Sequence, residues 1–141
     1  MDASISPYLM FPGNASEALA FYASVLGGTP DTTPYTQFGY EDAPEGAVMH
    51  GALETPAGLK IFAADDIQSS ADAAAFTSTG RISLALFGDD LAQLQVWWDG
   101  LSAGGTITMP FEQAPWGDTY GQFTDRFGIE WMINASPAPA E

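Results

Sequence analysis

Two stretches decide the fold: ASEALAFYASVLGGT at 15–29 and LAQLQVWWDGLSAGGT at 91–106. In the first, Ala15, Ala18, Leu19, Tyr22, Val25 and Leu26 recur at helical spacing. Gly27-Gly28 supplies the stop, because glycine tolerates the left-handed conformation at a helix C-terminus. In the second, Leu91, Leu94, Trp98 and Leu101 form the apolar stripe and Gly104-Gly105 ends it. Helices are therefore predicted at about 15–26 and 90–103. Asn14, three residues before Glu17, makes a capping-box-like start for the first helix, and Asp89 or Asp90 caps the second.

The same order of elements surrounds each helix. Residues 5–11 (ISPYLMF) form an apolar run bounded by Pro12-Gly13, and 81–87 (RISLALF) form its counterpart. After the glycine pairs come strand-like stretches at 32–40 and 106–111. Residues 41–46 are a turn by composition, and 112–118 are a loop. Two hairpins follow, 47–54 with 59–64 around Thr55-Pro56-Ala57-Gly58, and 119–124 with 129–134 around Asp125-Arg126-Phe127-Gly128. The glycine pairs lie 77 residues apart and the turn glycines Gly58 and Gly128 lie 70 apart, which indicates an internal repeat. Residues 65–80 (DDIQSSADAAAFTSTG) are polar, small and unpatterned. The expected organisation is α+β, a single domain over 1–135. Its first βαβββ module is at about 4–66, its linker at 67–80 and its second module at about 81–135, with a disordered tail at 136–141.

Composition narrows function mainly by exclusion. The 141 residues carry 18 Asp+Glu against 3 Lys+Arg, a formal net charge of -15. Lys60, Arg81 and Arg126 are scattered, so no basic patch for nucleic acid or an anionic membrane is expected. The absence of cysteine excludes disulfides, thiolate nucleophiles and Cys-ligated metals. The single histidine, His50, excludes a multi-His metal site within one chain. No apolar run reaches the roughly 18 residues of a membrane span, and Met1 to Ser4 lack the basic start of a signal peptide. A cytoplasmic location is the expectation. No nucleophile elbow, P-loop or dinucleotide glycine motif occurs, and no cofactor is expected.

The arrangement resembles the vicinal oxygen chelate fold of the glyoxalase/bleomycin-resistance superfamily, and its residues look like the PhnB-like branch. The matching segments are Pro7 to Phe11 with Gly13-Asn14-Ala15, Ala18 to Tyr22 running to Leu26-Gly27-Gly28, and Val48-Met49-His50-Gly51-Ala52-Leu53. They continue with Gly104-Gly105 before Met109-Pro110, Tyr120-Gly121, and Asp125 to Asn134. The resemblance runs from about Ser4 to Asn134. It implies that metal-dependent members take ligands from the first and last strand of each module, at places falling here near Pro7, Phe62, Ser83 and Met132. None of these four is a competent metal ligand, a one-residue slip would flip side chains to the other face, and even then only Glu130, two residues before Met132, appears nearby. No metal site is expected, and glyoxalase I or extradiol-dioxygenase chemistry is not expected either. The resemblance also implies a homodimer.

The candidate site residues are His50, Glu54, Phe62, Trp116, Tyr120 and Met132. Strand alternation puts Val48, His50, Ala52 and Glu54 on one face, and the repeat matches His50 with Tyr120. His50 has three open roles: a hydrogen-bonded sheet histidine, a ligand contact, or a catalytic acid/base. Phe62 and Met132 would make a cavity floor apolar. Trp116, among breakers in the 113–118 loop and close to Tyr120, suits a pocket mouth. Trp98 and Trp131 suit the core. The function that follows is a metal-free small-molecule-binding protein, and the charge favours a cationic or neutral ligand. The alternative is a metal-dependent or His-based enzyme of lyase, isomerase or dioxygenase type, and a homodimer without a small ligand is a third reading.

Overall fold

The computed structural model describes residues 5–39, 43–66 and 82–137. The chain divides into two compact units, Met1–Phe76 and Thr77–Glu141. The first holds β1 (Tyr8–Phe11), α1 (Ala15–Leu26), β2 (Asp31–Pro34), β3 (Val48–Glu54) and β4 (Lys60–Asp65). Its sheet order is β1-β4-β3-β2, with β1 parallel to β4 and the other pairs antiparallel. The second holds β5 (Leu84–Gly88), α2 (Leu91–Ser102), β6 (Thr106–Gln113), β7 (Thr119–Thr124) and β8 (Glu130–Ala135). Its order is β5-β8-β7-β6, again with one parallel pair, β5 and β8. The α+β class and the two tandem βαβββ modules are thus as the sequence indicates. The expected linker, 67–80, lies outside the described residues, and so does the expected tail beyond Pro137. Ser136 donates its N–H to the Gly88 carbonyl at 2.7 Å.

The repeat is visible in packing as well as order. Gly28 lies so close to the Glu54 carbonyl at the end of β3 that a Cβ would meet that oxygen, and Gly105 lies the same way against the Thr124 carbonyl at the end of β7. Only glycine permits so close an approach of backbone to backbone. Gly51 in β3 sits beneath Leu19 of α1, and Gly121 in β7 sits beneath Trp98 of α2. Each helix is thereby seated on the third strand of its module. α1 buries Ala15, Ala18, Leu19, Tyr22 and Leu26; α2 buries Leu94, Trp98 and Leu101. Burying one such large side chain contributes about 1.5–3 kcal/mol. In the second core Trp98 stacks on Phe111 with centroids 5.0 Å apart, and meets Phe123 edge-on at 5.0 Å. Trp131 stacks on Phe123, so both Trp98 and Trp131 are core residues.

The first helix starts differently from the capping-box expectation. Asn14 makes no capping hydrogen bond through its side chain, and its Oδ1 is buried without a partner among the described residues. Instead Asp65, fully buried at the end of β4, accepts from the N–H groups of Gly13 (3.1 Å) and Ala15 (2.8 Å) through Oδ1 and from Val48 N–H (2.8 Å) through Oδ2. One carboxylate thus joins the β1–α1 turn, β3 and β4. Asp65 therefore belongs to the strand and not to the polar stretch that follows it. α2 follows the expectation, with Asp90 Oδ1 accepting from Gln93 N–H at 3.0 Å.

Proline accounts for three further departures. β1 begins at Tyr8 rather than Ile5, since Pro7 has no N–H and offers only its carbonyl, which Phe62 N–H reaches at 3.0 Å. β2 stops at Pro34, after a register shift between Thr33 and Pro34, and the chain turns through a 3-10 segment at Tyr35–Phe38 where a strand was expected. β6 runs on to Gln113 as an edge strand. It carries Pro110 inside the second of its two register shifts, between Met109 and Glu112, where a missing donor is tolerated.

Candidate functional site

A strand that packs a helix on one face leaves alternate residues on the other. In the first unit Gly51 and Leu53 serve α1, so His50, Ala52 and Glu54 occupy the helix-free face. Ala52 is registered against Phe62, and Phe62 against Tyr8, which brings β1, β4 and β3 residues to one patch. There Tyr8 Oη and His50 Nδ1 are 3.1 Å apart, a hydrogen bond between two exposed side chains. The His50 ring lies 5.4 Å from that of Phe62 and 5.7 Å from that of Tyr8, and Tyr8 meets Phe62 at 6.1 Å edge-on. A phenol bound to Nδ1 fixes the imidazole and leaves Nε2 without a hydrogen-bond partner among the described residues, as donor or acceptor according to the tautomer. The patch can stack an aromatic or cationic group and offer it one imidazole nitrogen.

Glu54 shares the face of His50 but is engaged elsewhere, with its Oε1 3.6 Å from Lys60 Nζ in an exposed ion pair. Tyr8 was missed in the sequence. Its signal is the parallel pairing of β1 with β4, which places the second residue of a Pro-Tyr pair opposite Phe62.

In the second unit Gly121, Phe123, Trp131 and Ile133 face α2 or the core, leaving Tyr120, Gln122, Thr124, Glu130, Met132 and Asn134 on the helix-free face. Gln122 Nε2 donates to Tyr120 Oη at 2.7 Å, and the Tyr120 hydroxyl donates to Met132 Sδ at 3.7 Å. Tyr120 and Met132 therefore meet directly, with Gln122 bonded to the same hydroxyl. Asn134 Nδ2 donates to Asp118 Oδ2 at 3.2 Å. Beside them is a cleft of about 110 Å³ lined by Ser83, Thr108, Gln122, Thr124 and Glu130 over the backbone of Phe123 and Trp131. Of these, Thr108, Gln122 and Thr124 were missed, although the Tyr120-x-Gln122-x-Thr124 alternation already puts Gln122 and Thr124 on the face of Tyr120. Trp116 stands apart in the β6–β7 turn, 71% exposed.

The strand positions that the family resemblance associates with metal are also defined by register. Tyr8 stands beside Phe62, one residue on from Pro7, and Ala85 stands beside Met132, two on from Ser83. Phenol, benzyl, methyl and thioether groups do not match the imidazole and carboxylate donors that a catalytic divalent ion takes. Among the described residues no three His, Cys, Asp or Glu side chains gather closely enough to hold a metal ion. Also among the described residues, no helix is long and apolar enough to cross a membrane.

Known proteins agree with this architecture. Protein YjdN of Escherichia coli K12 is 31% identical over 137 residues, spanning 92% of this chain and 93% of its own. Protein PA1353 from Pseudomonas aeruginosa superposes with a TM-score of 0.75 at 31% identity, covering 96% of this chain and 99% of its own. A Bacillus cereus structure described as a putative 3-demethylubiquinone-9 3-methyltransferase, PhnB protein, superposes with a TM-score of 0.77 at 24% identity, covering 95% and 100%, and so shares the fold. The sequence profile of one family matches residues 4–133, nearly the whole of both modules, and the chain belongs to that family, the glyoxalase/bleomycin resistance protein/dioxygenase superfamily.

Proposed function

We propose that the protein is a metal-free small-molecule-binding member of this superfamily that works as a homodimer in the cytoplasm. The observation that carries the reading is the Tyr8–His50–Phe62 patch. An imidazole held by a phenol at 3.1 Å lies beside the ring of Phe62, which occupies one of the strand positions that the family resemblance associates with metal. Apolar and aromatic groups at Phe62 and Met132 favour contact with a ligand over coordination of an ion. The net charge of -15 favours a cationic or neutral ligand. Glu54, Trp116, Tyr120 and Met132 remain ligand-contact candidates in this reading. The homodimer follows from exposed sheet edges and faces, such as β6 with Ile107 and Met109, which pairing with a second copy would cover.

The test is a thermal-shift screen of aromatic cations, dicarbonyls and dihydroxy-aromatics on untagged protein dialysed against a chelator. The reading requires at least one probe that raises the Tm of the chelated protein. It fails if about one equivalent of Zn²⁺, Ni²⁺ or Fe²⁺ survives dialysis and every shift depends on it. Sedimentation at micromolar concentration tests the dimer, which a mass near 14.9 kDa would refute, and cell fractionation tests the location. A second reading, acid–base catalysis by His50, has the Tyr8–His50 hydrogen bond in its favour, since a bound phenol orients an imidazole for proton transfer. Turnover of a dicarbonyl probe that His50→Gln abolishes would establish it.

A further inference from the structure

We propose that the cleft in the second unit binds a donor-rich organic cation, a primary ammonium or guanidinium group carried by a small molecule. Glu130, at the start of β8, is half-buried in this cleft and has no ion-pair partner among the described residues. Lys60 is committed to Glu54 in the first unit, and Arg126 binds the Ala103 carbonyl through Nε and Nη2 at 3.2 and 3.0 Å. Around Glu130 stand the hydroxyls of Ser83, Thr108 and Thr124 and the amide of Gln122. The Gln122 amide gives one N–H to Tyr120 Oη, and its carbonyl oxygen makes no hydrogen bond among the described residues.

The lining thus holds one carboxylate, which only accepts, beside an amide and three hydroxyls that can each turn an oxygen toward a donor. A ligand group matching it must bring several donors and a positive charge, which is the chemistry of an ammonium or a guanidinium. The volume of about 110 Å³ suits a head group of a few heavy atoms with the rest of the molecule outside. Partial burial strengthens the carboxylate's pull on such a cation relative to a carboxylate in open water. The net charge of -15 raises the local concentration of cations. The cleft residues all belong to the second unit and the Tyr8–His50–Phe62 patch to the first, so each proposal is tested on its own residues.

The test is a titration of the ¹⁵N-labelled protein with 1,4-diaminobutane, with 1,4-butanediol as the neutral isostere. Saturable amide shifts are expected at Ser83, Thr108, Gln122, Thr124 and Glu130 with the diamine, and binding of the diol at least about tenfold weaker. Glu130→Gln keeps the shape and removes the charge, and is expected to weaken the diamine by about tenfold or more. Glu112→Gln removes the same charge from an exposed position outside the cleft, and is expected to change affinity less than about twofold. Thr108→Val, on the edge strand, gives a second reading of the cleft, with a loss of about threefold. Equal losses in Glu130→Gln and Glu112→Gln would show diffuse attraction to an acidic surface and overturn the proposal. So would equal binding of diol and diamine, or the absence of saturable shifts at the cleft residues.

Discussion

The two units share a topology and close it with different polar locks. In the first, the Asp65 carboxylate reaches backbone N–H groups at Gly13, Ala15 and Val48, far away in sequence. In the second, the buried carboxylate is Asp125, and three local groups donate to it. Oδ1 accepts from Phe127 N–H at 2.8 Å and Ile129 N–H at 3.1 Å inside the hairpin turn, and Oδ2 accepts from Trp131 Nε1 at 2.8 Å. The turn that Asp125 stabilises has its counterpart in the first unit at Thr55, whose Oγ1 accepts from Leu59 N–H at 3.1 Å. A buried carboxylate needs several donors wherever it sits, and in the first unit backbone N–H groups on separate segments supply them. The comparison teaches that the repeat conserves close backbone approaches while leaving the polar locks free to move.

The largest expected effect is at the long-range lock. Asp65→Ala strands three buried or half-buried N–H groups on three segments and is expected to lower stability by about 4 kcal/mol, read as a urea midpoint. Loss of protection from hydrogen exchange at Ala15 and Val48 would locate the damage in the first unit. Next comes Gly121→Ala, whose Cβ would press on the Trp98 ring and on the Phe111 backbone, expected to be destabilising by about 3 kcal/mol. Its counterpart Gly51→Ala meets the flexible end of Leu19 and is expected to lose only about 1–2 kcal/mol, so equal losses would break the comparison. Asp125→Ala falls between these at about 2 kcal/mol, because water can reach two of its three donors once the carboxylate is gone. An Asp125→Ala loss larger than that of Asp65→Ala would contradict the contrast between local and long-range locks.

Much of this was legible in sequence. The glycine pairs, the hairpins and both helices follow from local chemistry, since glycine stops and amphipathic spacing act within one turn. The role of Asp65 was not legible, because a carboxylate beside a second Asp looks solvated until the fold brings three N–H groups to it. The capping of α1 was misassigned to Asn14 for the same reason. At the site, alternation placed His50 and Phe62 correctly on strands that meet. The partner of His50 lies 42 residues away and is brought there by the parallel pairing of β1 with β4, which no local pattern encodes. Tyr8 stands there, while Tyr120 has its own partners, Gln122 and Met132.

The smallest effect on stability is expected where the effect on function is expected to be largest. His50→Gln changes an exposed side chain and is expected to alter stability by less than about 0.5 kcal/mol. The most direct test of the proposed binding role is the ligand-induced Tm shift of chelated protein, compared between the parent chain and His50→Gln. At about a hundredfold excess over Kd, a binding probe is expected to raise the parent Tm by about 5 °C or more and to raise the variant's by less than half as much. A full shift in His50→Gln, or a shift that appears only when divalent metal is restored, would contradict metal-free binding at the Tyr8–His50–Phe62 patch.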